Sequence, residues 1–445
     1  MSGSARVGMK REHFVLVLLA LYFLAIIVCL NRPGSELQAY RQTGLPFGCV
    51  PSPNRGYAVQ DFALNLLYLR GIEERVVAHP YRQEEQERLM HHWLPTASSG
   101  MCHAYSPVAF VLALPLLALE PDQAYIAYSF IGAVSVLLLC HFYLFPAART
   151  PFQLYLLIVC LVNLTWILAF AVGQSALITT PLLGTFWLLV QRRAAVAFAR
   201  ADVPLALLFW ALCLKPSIAM IPLCLLLGAR AWAALGLGAG LLAATWAFLG
   251  DRYGGWCSGL RDYADLLNHY YEGAMIPFMR DVFTRHGDTG ANAYFATLFP
   301  GHSAFFFSLS HALFLGVSAG LLVLRWTGRL TASAQFQGMI WNFLLFCPYL
   351  LPSEDCIFCL LIVEGAFYRD GSLLEKALKL ALVLALMNLR AGLTFPGQIN
   401  FPLKCVLLAW ILVEALRAHD RVAGPSPFGF AQGQDEVSRR VDARD

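Results

Sequence analysis

A chain of 445 residues with 58% hydrophobic and only 13% charged side chains is far more apolar than a soluble domain, where about 25% charged residues are usual. Its mean hydropathy is +0.59, and the apolar residues come in blocks rather than scattered. The formal net charge of +4 is small, with Lys and Arg singly or in pairs between those blocks, which excludes a nucleic-acid surface and reads as topology signals instead.

The first block, Val15–Leu30, follows Lys10 and Arg11. No small-residue cleavage site follows it, so it reads as a retained helix rather than a signal peptide. With Arg6, Lys10 and Arg11 held in the cytoplasm, that helix delivers Asn31–Ala104 to the outside. Within this first external segment Phe62, Leu66 and Leu69 recur at helical spacing, and Gly71 is a natural stop. Asp61, Asn65 and Tyr68 form a second stripe, which puts a carboxylate, an amide and a phenol on one helix face. Asp61 alone reads more simply as a first-turn acid favoured by the helix dipole. His91, His92 and His103 share the segment, but their spacing fits no zinc signature. Cys49 and Cys102 can pair if the segment is extracytoplasmic; the sequence leaves this open.

Pro107–Leu119 is short for a span and contains Pro107 and Pro115; the charge pattern works if it is re-entrant or interfacial, and the alternative is that it crosses and one later segment does not. Ala124–Phe145 and Leu154–Val172 follow, the latter ending at Gly173–Gln174. That dipeptide makes a turn, and its amide is a candidate hydrogen-bonding group for a sugar. Leu208–Pro222 is apolar except for Lys215, followed at once by Pro216, which breaks the helix there. A lysine at membrane depth costs about 2.5–3.5 kcal/mol on insertion scales. It is either a phosphate ligand facing a cavity or a snorkelling side chain at a helix end. Trp232–Leu249 leads to a second external segment, 250–302, in which Arg261 or Arg280 could supply a further cation. Ser303–Leu324 is another span-length block. The short loops with Arg149, Arg192/Arg193, Arg230, Arg325/Arg329 and Arg369 are then cytoplasmic.

The expectation is an all-α polytopic membrane protein with about 12 transmembrane helices. Residues 1–416 form one integral-membrane domain with two extracytoplasmic loop regions, 31–104 and 250–302, and both termini are cytoplasmic. The tail 417–445 is expected to be disordered. Most of the twelve cysteines fall inside apolar blocks, Cys356 and Cys359 among them, where Cys acts as a small hydrophobe. With Lys215 the only lysine placed at depth and no internal repeat, a transporter or lipid flippase is the main rival reading rather than the leading one, and a non-catalytic subunit on the same scaffold is a second rival.

The ordered series Asp61, Gly71, Pro80-Tyr81, Tyr105-Ser106-Pro107, Pro115-Leu116, Gly173-Gln174, Lys215-Pro216 and Cys347-Pro348 resembles glycosyltransferase family 87 over residues 13–368. Those are polyprenol-phosphate-mannose-dependent mannosyltransferases of the C-type glycosyltransferase fold. The resemblance implies a catalytic base at Asp61 and a donor-phosphate contact at Lys215. Asn65, Tyr68, Tyr105, Gln174 and Arg261 are the remaining candidate substrate-binding residues. It further implies a polyprenyl-phosphate sugar donor, a glycan or lipid acceptor, and a site on the outer face of a bacterial inner (plasma) membrane. No cofactor, metal or nucleic acid is expected. One departure stands out: where family members often show Ser-Pro followed by His or Tyr-Asp, this chain has Cys347-Pro348-Tyr349 and then Ser353-Glu354-Asp355.

Overall fold

The computed structural model describes residues 3–30, 51–52, 56–57, 61–93, 105–193, 198–269, 290–299, 301–348, 352–364, 372–388 and 396–422. Outside these lie Cys49, Cys102, His103, Arg280 and the tail from 423 onward, so the expectations placed on them are not addressed. Among the described residues the only strands are Pro51–Ser52 and Gly56–Tyr57, paired antiparallel with Pro51 opposite Tyr57. The rest is helical.

Helix α1, Gly3–Leu30, turns Leu19, Phe23 and Ile26 inward while Phe14, Leu21 and Leu24 face out. Helices α2 (Asp61–Glu73), α3 (Gln83–Trp93) and α4 (Val108–Leu117) follow. Next come α5 (Pro121–Leu139, continued through a π turn at Cys140–Leu144), α6 (Pro151–Leu161), α7 (Leu164–Val172) and α8 (Ala176–Arg193). The chain continues through α9 (Phe198–Leu212), α10 (Pro216–Gly228), α11 (Trp232–Leu249), α12 (Trp256–His269) and α13 (Ala291–Leu298). It ends with α14 (Ser303–Trp326), α15 (Ala332–Phe346), α16 (Phe358–Glu364), α17 (Leu373–Asn388) and α18 (Pro396–Val422). Among the described residues, three helices are long and apolar enough to cross a membrane: Gln123–Ala147, Trp232–Tyr253 and Ala304–Trp326. Their outer faces present Phe142, Phe248, Phe305 and Val323, each more than half exposed. Water would penalise such faces by about 25 cal/mol per Å², whereas hydrocarbon would not.

Buried polar side chains pin the helices to one another. Gln335 donates to the Cys224 carbonyl, and Asn342 donates to the Phe314 carbonyl and Ser318 Oγ. Thr165 Oγ1 donates to the Met387 carbonyl. The block read as one span over Leu154–Val172 is broken: α6 stops at Leu161, and Asn163 Oδ1 caps α7 by accepting from the N–H groups of Thr165 and Trp166.

The helix ends sort into two groups. At one, Arg193 reaches Asp202 and the Ala229 carbonyl, and Trp326 Nε1 donates to the Leu227 carbonyl. The arginine-bearing short loops after α8, α10 and α14 thus gather together, as the charge pattern requires. At the other, a separate apolar cluster joins Phe62, Leu69 and Tyr81 of the first large polar segment to Tyr253, Tyr263 and Leu266 of the second. The two large polar segments therefore share one core. His79 Nδ1 and Arg82 Nε both contact Asp262 Oδ2, at 2.9 and 3.0 Å, across the same junction.

Helix α4 belongs to this layer at both ends. Ser106, just before it, bonds the turn after α9, while the Leu119 carbonyl just after it accepts from Arg70 of α2. Ten residues rise only about 15 Å, half of a ~30 Å hydrocarbon core. The boundary at 417 does not hold: α18 runs on to Val422 because Glu414–Asp420 contains no breaker before Gly424 and Pro425.

Candidate functional site

The site starts from a chain break dictated locally. Pro216 occupies the first position of α10, and the residue before a proline is pushed out of the helical region. Lys215 accordingly has φ −123° and ψ 105°, and its side chain makes no capping hydrogen bond. The carbonyls left open at the end of α9 are taken by Ser106, whose N–H donates to Leu214 O (3.2 Å) and whose Oγ donates to Cys213 O (2.6 Å). The Tyr-Ser-Pro motif and the Lys-Pro motif are therefore in direct contact.

Tyr105 extends the assembly. Its phenol donates to Ser175 Oγ at 3.4 Å, and its carbonyl accepts from Tyr81 Oη at 2.9 Å. Tyr81 is buried against Tyr253 and Tyr263, with ring centroids 5.1 and 4.7 Å away. Burial pushes its phenol well above the usual range, so it remains a protonated donor. Ser175 follows the Gly173–Gln174 turn. Gly173 ends α7 in the left-handed conformation (φ 67°), with its own N–H and that of Gln174 bonded back to Phe170 and Ala169. A methyl group on Gly173 would collide with Phe62, the second residue of α2. Four segments far apart in sequence thus meet: the start of α2, Tyr105-Ser106, Gly173-Gln174-Ser175 and Lys215-Pro216.

Gln174 is 6% exposed. Its backbone carbonyl accepts from Tyr128 Oη at 2.8 Å, whereas its side-chain Oε1 is buried with no hydrogen-bond partner among the described residues. Ser217 Oγ, two residues beyond Lys215, is in the same condition. Unpaired buried polar atoms cost about 1–3 kcal/mol each and are rare unless something else pairs with them.

The ammonium of Lys215 is held by the carboxylate of Glu354, itself 2% exposed, on a 3₁₀ turn at Pro352–Ile357. The adjoining Asp355 pairs with Lys404 of α18 at 2.8 Å, and Lys404 Nζ also donates to Leu344 O at 3.3 Å. Lys379 is equally buried, over the ring of Trp410. The reading of Lys215 as the sole lysine at depth is therefore corrected: Lys379 and Lys404 are each 2% exposed. Burial of a charge is tolerated when it is paired, and the partners lie in separate apolar blocks where charge spacing along the chain gives no clue. The signal available was the Glu354-Asp355 doublet inside an apolar run, matched by lone lysines in later runs.

The remaining candidate residues divide. Asp61 is the first residue of α2, next to Phe62 and hence to the Gly173 turn; its side chain is outside the described residues. Asn65 is half-buried one turn further on. Tyr68 is not presented to a ligand as the stripe suggested: it is 2% exposed and its phenol donates to the Gln86 carbonyl, fastening α2 to α3. Arg261 is exposed on α12, and no described contact joins it to Lys215 or Gln174; the inward face of α12 is the Tyr263–Leu266 side. Cys356 and Cys359 are both buried. No group of three or more His, Cys, Asp or Glu among the described residues could hold a metal ion, and His92 is exposed.

Comparison of the chain with protein-family models, with characterised proteins and with solved structures finds no match. The arrangement itself offers a cation and a helix N-terminus for an anion, beside hydroxyls and an amide oxygen suited to a polyol.

Proposed function

We propose that this chain is an inverting glycosyltransferase, moving a hexose from a polyprenyl-phosphate donor to an acceptor hydroxyl on the extracytoplasmic face. The observation that carries the reading is the convergence just described. The helix headed by Asp61, the Gly173–Gln174 turn, Tyr105-Ser106 and the Lys215–Pro216 break lie against one another at the end of the bundle that holds both large polar segments.

The chemistry needs little more. A lipid phosphate is a competent leaving group without protonation. Asp61 takes the acceptor's proton as that oxygen attacks the anomeric carbon, and the bond from that carbon to the phosphate oxygen breaks with inversion. Lys215 and the N-terminus of α10 offset the charge gathering on the departing phosphate. Mannose is the favoured hexose only through the resemblance to glycosyltransferase family 87 and its C-type fold. The same reading makes the chain an integral protein of a bacterial inner (plasma) membrane. About 12 crossings follow if α6 and α7 count as one pass and α2–α4, α12 and α13 stay outside.

The test is transfer from a panel of polyprenyl-phosphate sugars by purified protein, with membrane extracts supplying acceptors. Wild type transfers at least one sugar and Asp61→Asn loses about 10²–10⁴-fold in rate; wild-type turnover by Asp61→Asn removes the base assignment. A second reading, a transporter or flippase, draws on the buried pairs Lys215–Glu354 and Lys404–Asp355, since intramembrane acid–base pairs are a feature of such proteins. Movement of a labelled lipid in proteoliposomes without any sugar turnover favours that reading over the first.

A further inference from the structure

The Lys215–Glu354 pair occupies a place already equipped for an anion. Lys215 is the N-cap of α10, a helix of 13 residues whose N-terminus has no side-chain cap. Pro216 has no N–H, so the first amide of that helix is Ser217's, and Ser217 Oγ is buried without a partner among the described residues. A lysine, a helix N-terminus and a serine hydroxyl together make a recurrent cradle for phosphate oxygens. The turn carrying Glu354 packs on both α7 and α8, the helices on either side of Gly173–Gln174. The Gly173–Gln174 turn between those two helices carries Gln174 Oε1, buried and without a partner among the described residues. That oxygen can only accept, so it suits a hydroxyl donor and not a second anion.

We propose that Glu354 is the built-in occupant of a phosphate seat formed by Lys215, the α10 N-terminus and Ser217, and that a lipid headgroup bearing a phosphate ester binds by displacing it. The proposal rests on the transferase reading for its ligand class and adds the gate to that site. The sugar-bearing phosphodiester carries one negative charge, like the carboxylate it replaces, and the phosphomonoester up to two. The exchange leaves Asp355 paired with Lys404, puts the phosphate on Lys215 and requires the Glu354 carboxylate to turn out to solvent. An intramolecular competitor divides the affinity: the apparent dissociation constant is the intrinsic one over the fraction of time the seat is vacant, so a vacancy of about one tenth gives a ten-fold effect. It also screens out weakly bound anions that bring no hydroxyls for Gln174 and no chain for the surrounding apolar helices. Glu354 is thus a positioning residue, acting through Lys215.

The experiment measures binding of a polyprenyl phosphate to the full chain in detergent micelles, with phosphate-free polyprenol and inorganic phosphate as parallel probes. Glu354→Gln should tighten polyprenyl phosphate roughly ten-fold by removing the competitor, and Glu354→Asp should tighten it less. Lys215→Gln should abolish the gain, alone or combined with Glu354→Gln. An ordinary structural ion pair predicts the opposite sign for Glu354→Gln, weaker binding through lost stability. Folded Glu354→Gln that binds at wild-type strength or below overturns the inference; should it fail to fold, the conservative Glu354→Asp decides by the same criterion. Equal binding of polyprenol overturns the phosphate seat, and equal binding of inorganic phosphate overturns the lipid headgroup as its source. If the binding pattern appears but no sugar is transferred, the transferase reading falls and the seat stands. If sugar is transferred and Glu354→Gln does not tighten binding, the seat falls alone.

Discussion

Gly173→Ala is the sharpest probe of how the site is assembled, because two independent penalties fall on one methyl group. The residue has φ 67°, a conformation that costs an L-residue about 1–2 kcal/mol. The added carbon would also run into Phe62 Cβ and lie 3.1 Å from its Cγ, and neither atom is the free end of a flexible chain. Overpacking of this kind costs typically 1–3 kcal/mol. The sum is about 2–5 kcal/mol, a large share of the 5–15 kcal/mol that holds an ordinary domain together. The strain is relieved most cheaply by shifting the start of α2, which carries Asp61. Gly173→Ala should therefore lose sugar transfer more steeply than it loses folded protein. Denaturation in detergent and transfer per folded molecule are the two readouts. Adding Phe62→Gly removes both Cβ and Cγ from the path of the methyl group but not the backbone strain, so the double variant should regain part of the transfer although Phe62→Gly alone loses core packing. Gly236→Ala, in α11 with open space around the position, serves as the control and should be neutral or slightly stabilising. Wild-type stability for Gly173→Ala, or strict additivity with Phe62→Gly, would refute the argument.

Three other perturbations follow from the same contacts. Lys404→Met strands the buried Asp355 carboxylate and should destabilise the protein by about 3–5 kcal/mol in detergent denaturation, while combining it with Asp355→Leu should restore most of that loss. Glu364, near the opposite end of the bundle, accepts from Tyr143, from Trp187 Nε1 at 2.6 Å, from Gln191 Nε2 at 3.1 Å and from Ser333 Oγ at 2.8 Å. Glu364→Gln should cost about 1.5–3 kcal/mol of stability and leave transfer per folded molecule unchanged; a specific fall in transfer would tie that end to the chemistry. Asp262→Asn should loosen α12 from the first external segment, by no more than about 1 kcal/mol because Arg82 is half exposed, read as faster hydrogen exchange over 256–269 that high salt reproduces in the wild type.

The sequence by itself determined the features that depend on a few neighbouring residues or on bulk composition. The apolar blocks and their flanking arginines, the helix beginning at Asp61, the left-handed turn at Gly173 and the break at Lys215–Pro216 all follow from local backbone chemistry and solvation. The shortness of the Pro107–Leu119 helix could be counted directly. Only the tertiary structure decided where the polar groups spend their bonds. Tyr68 lies on the same predicted stripe as Asp61 yet turns to Gln86, because α3 packs there. Lys215 finds Glu354 from 139 residues away, and Asp355 finds Lys404 on a helix that no periodicity links to it. A buried charge must be paired, but its partner is chosen by which helices lie side by side, and that choice is a property of the packed bundle rather than of any window along the chain.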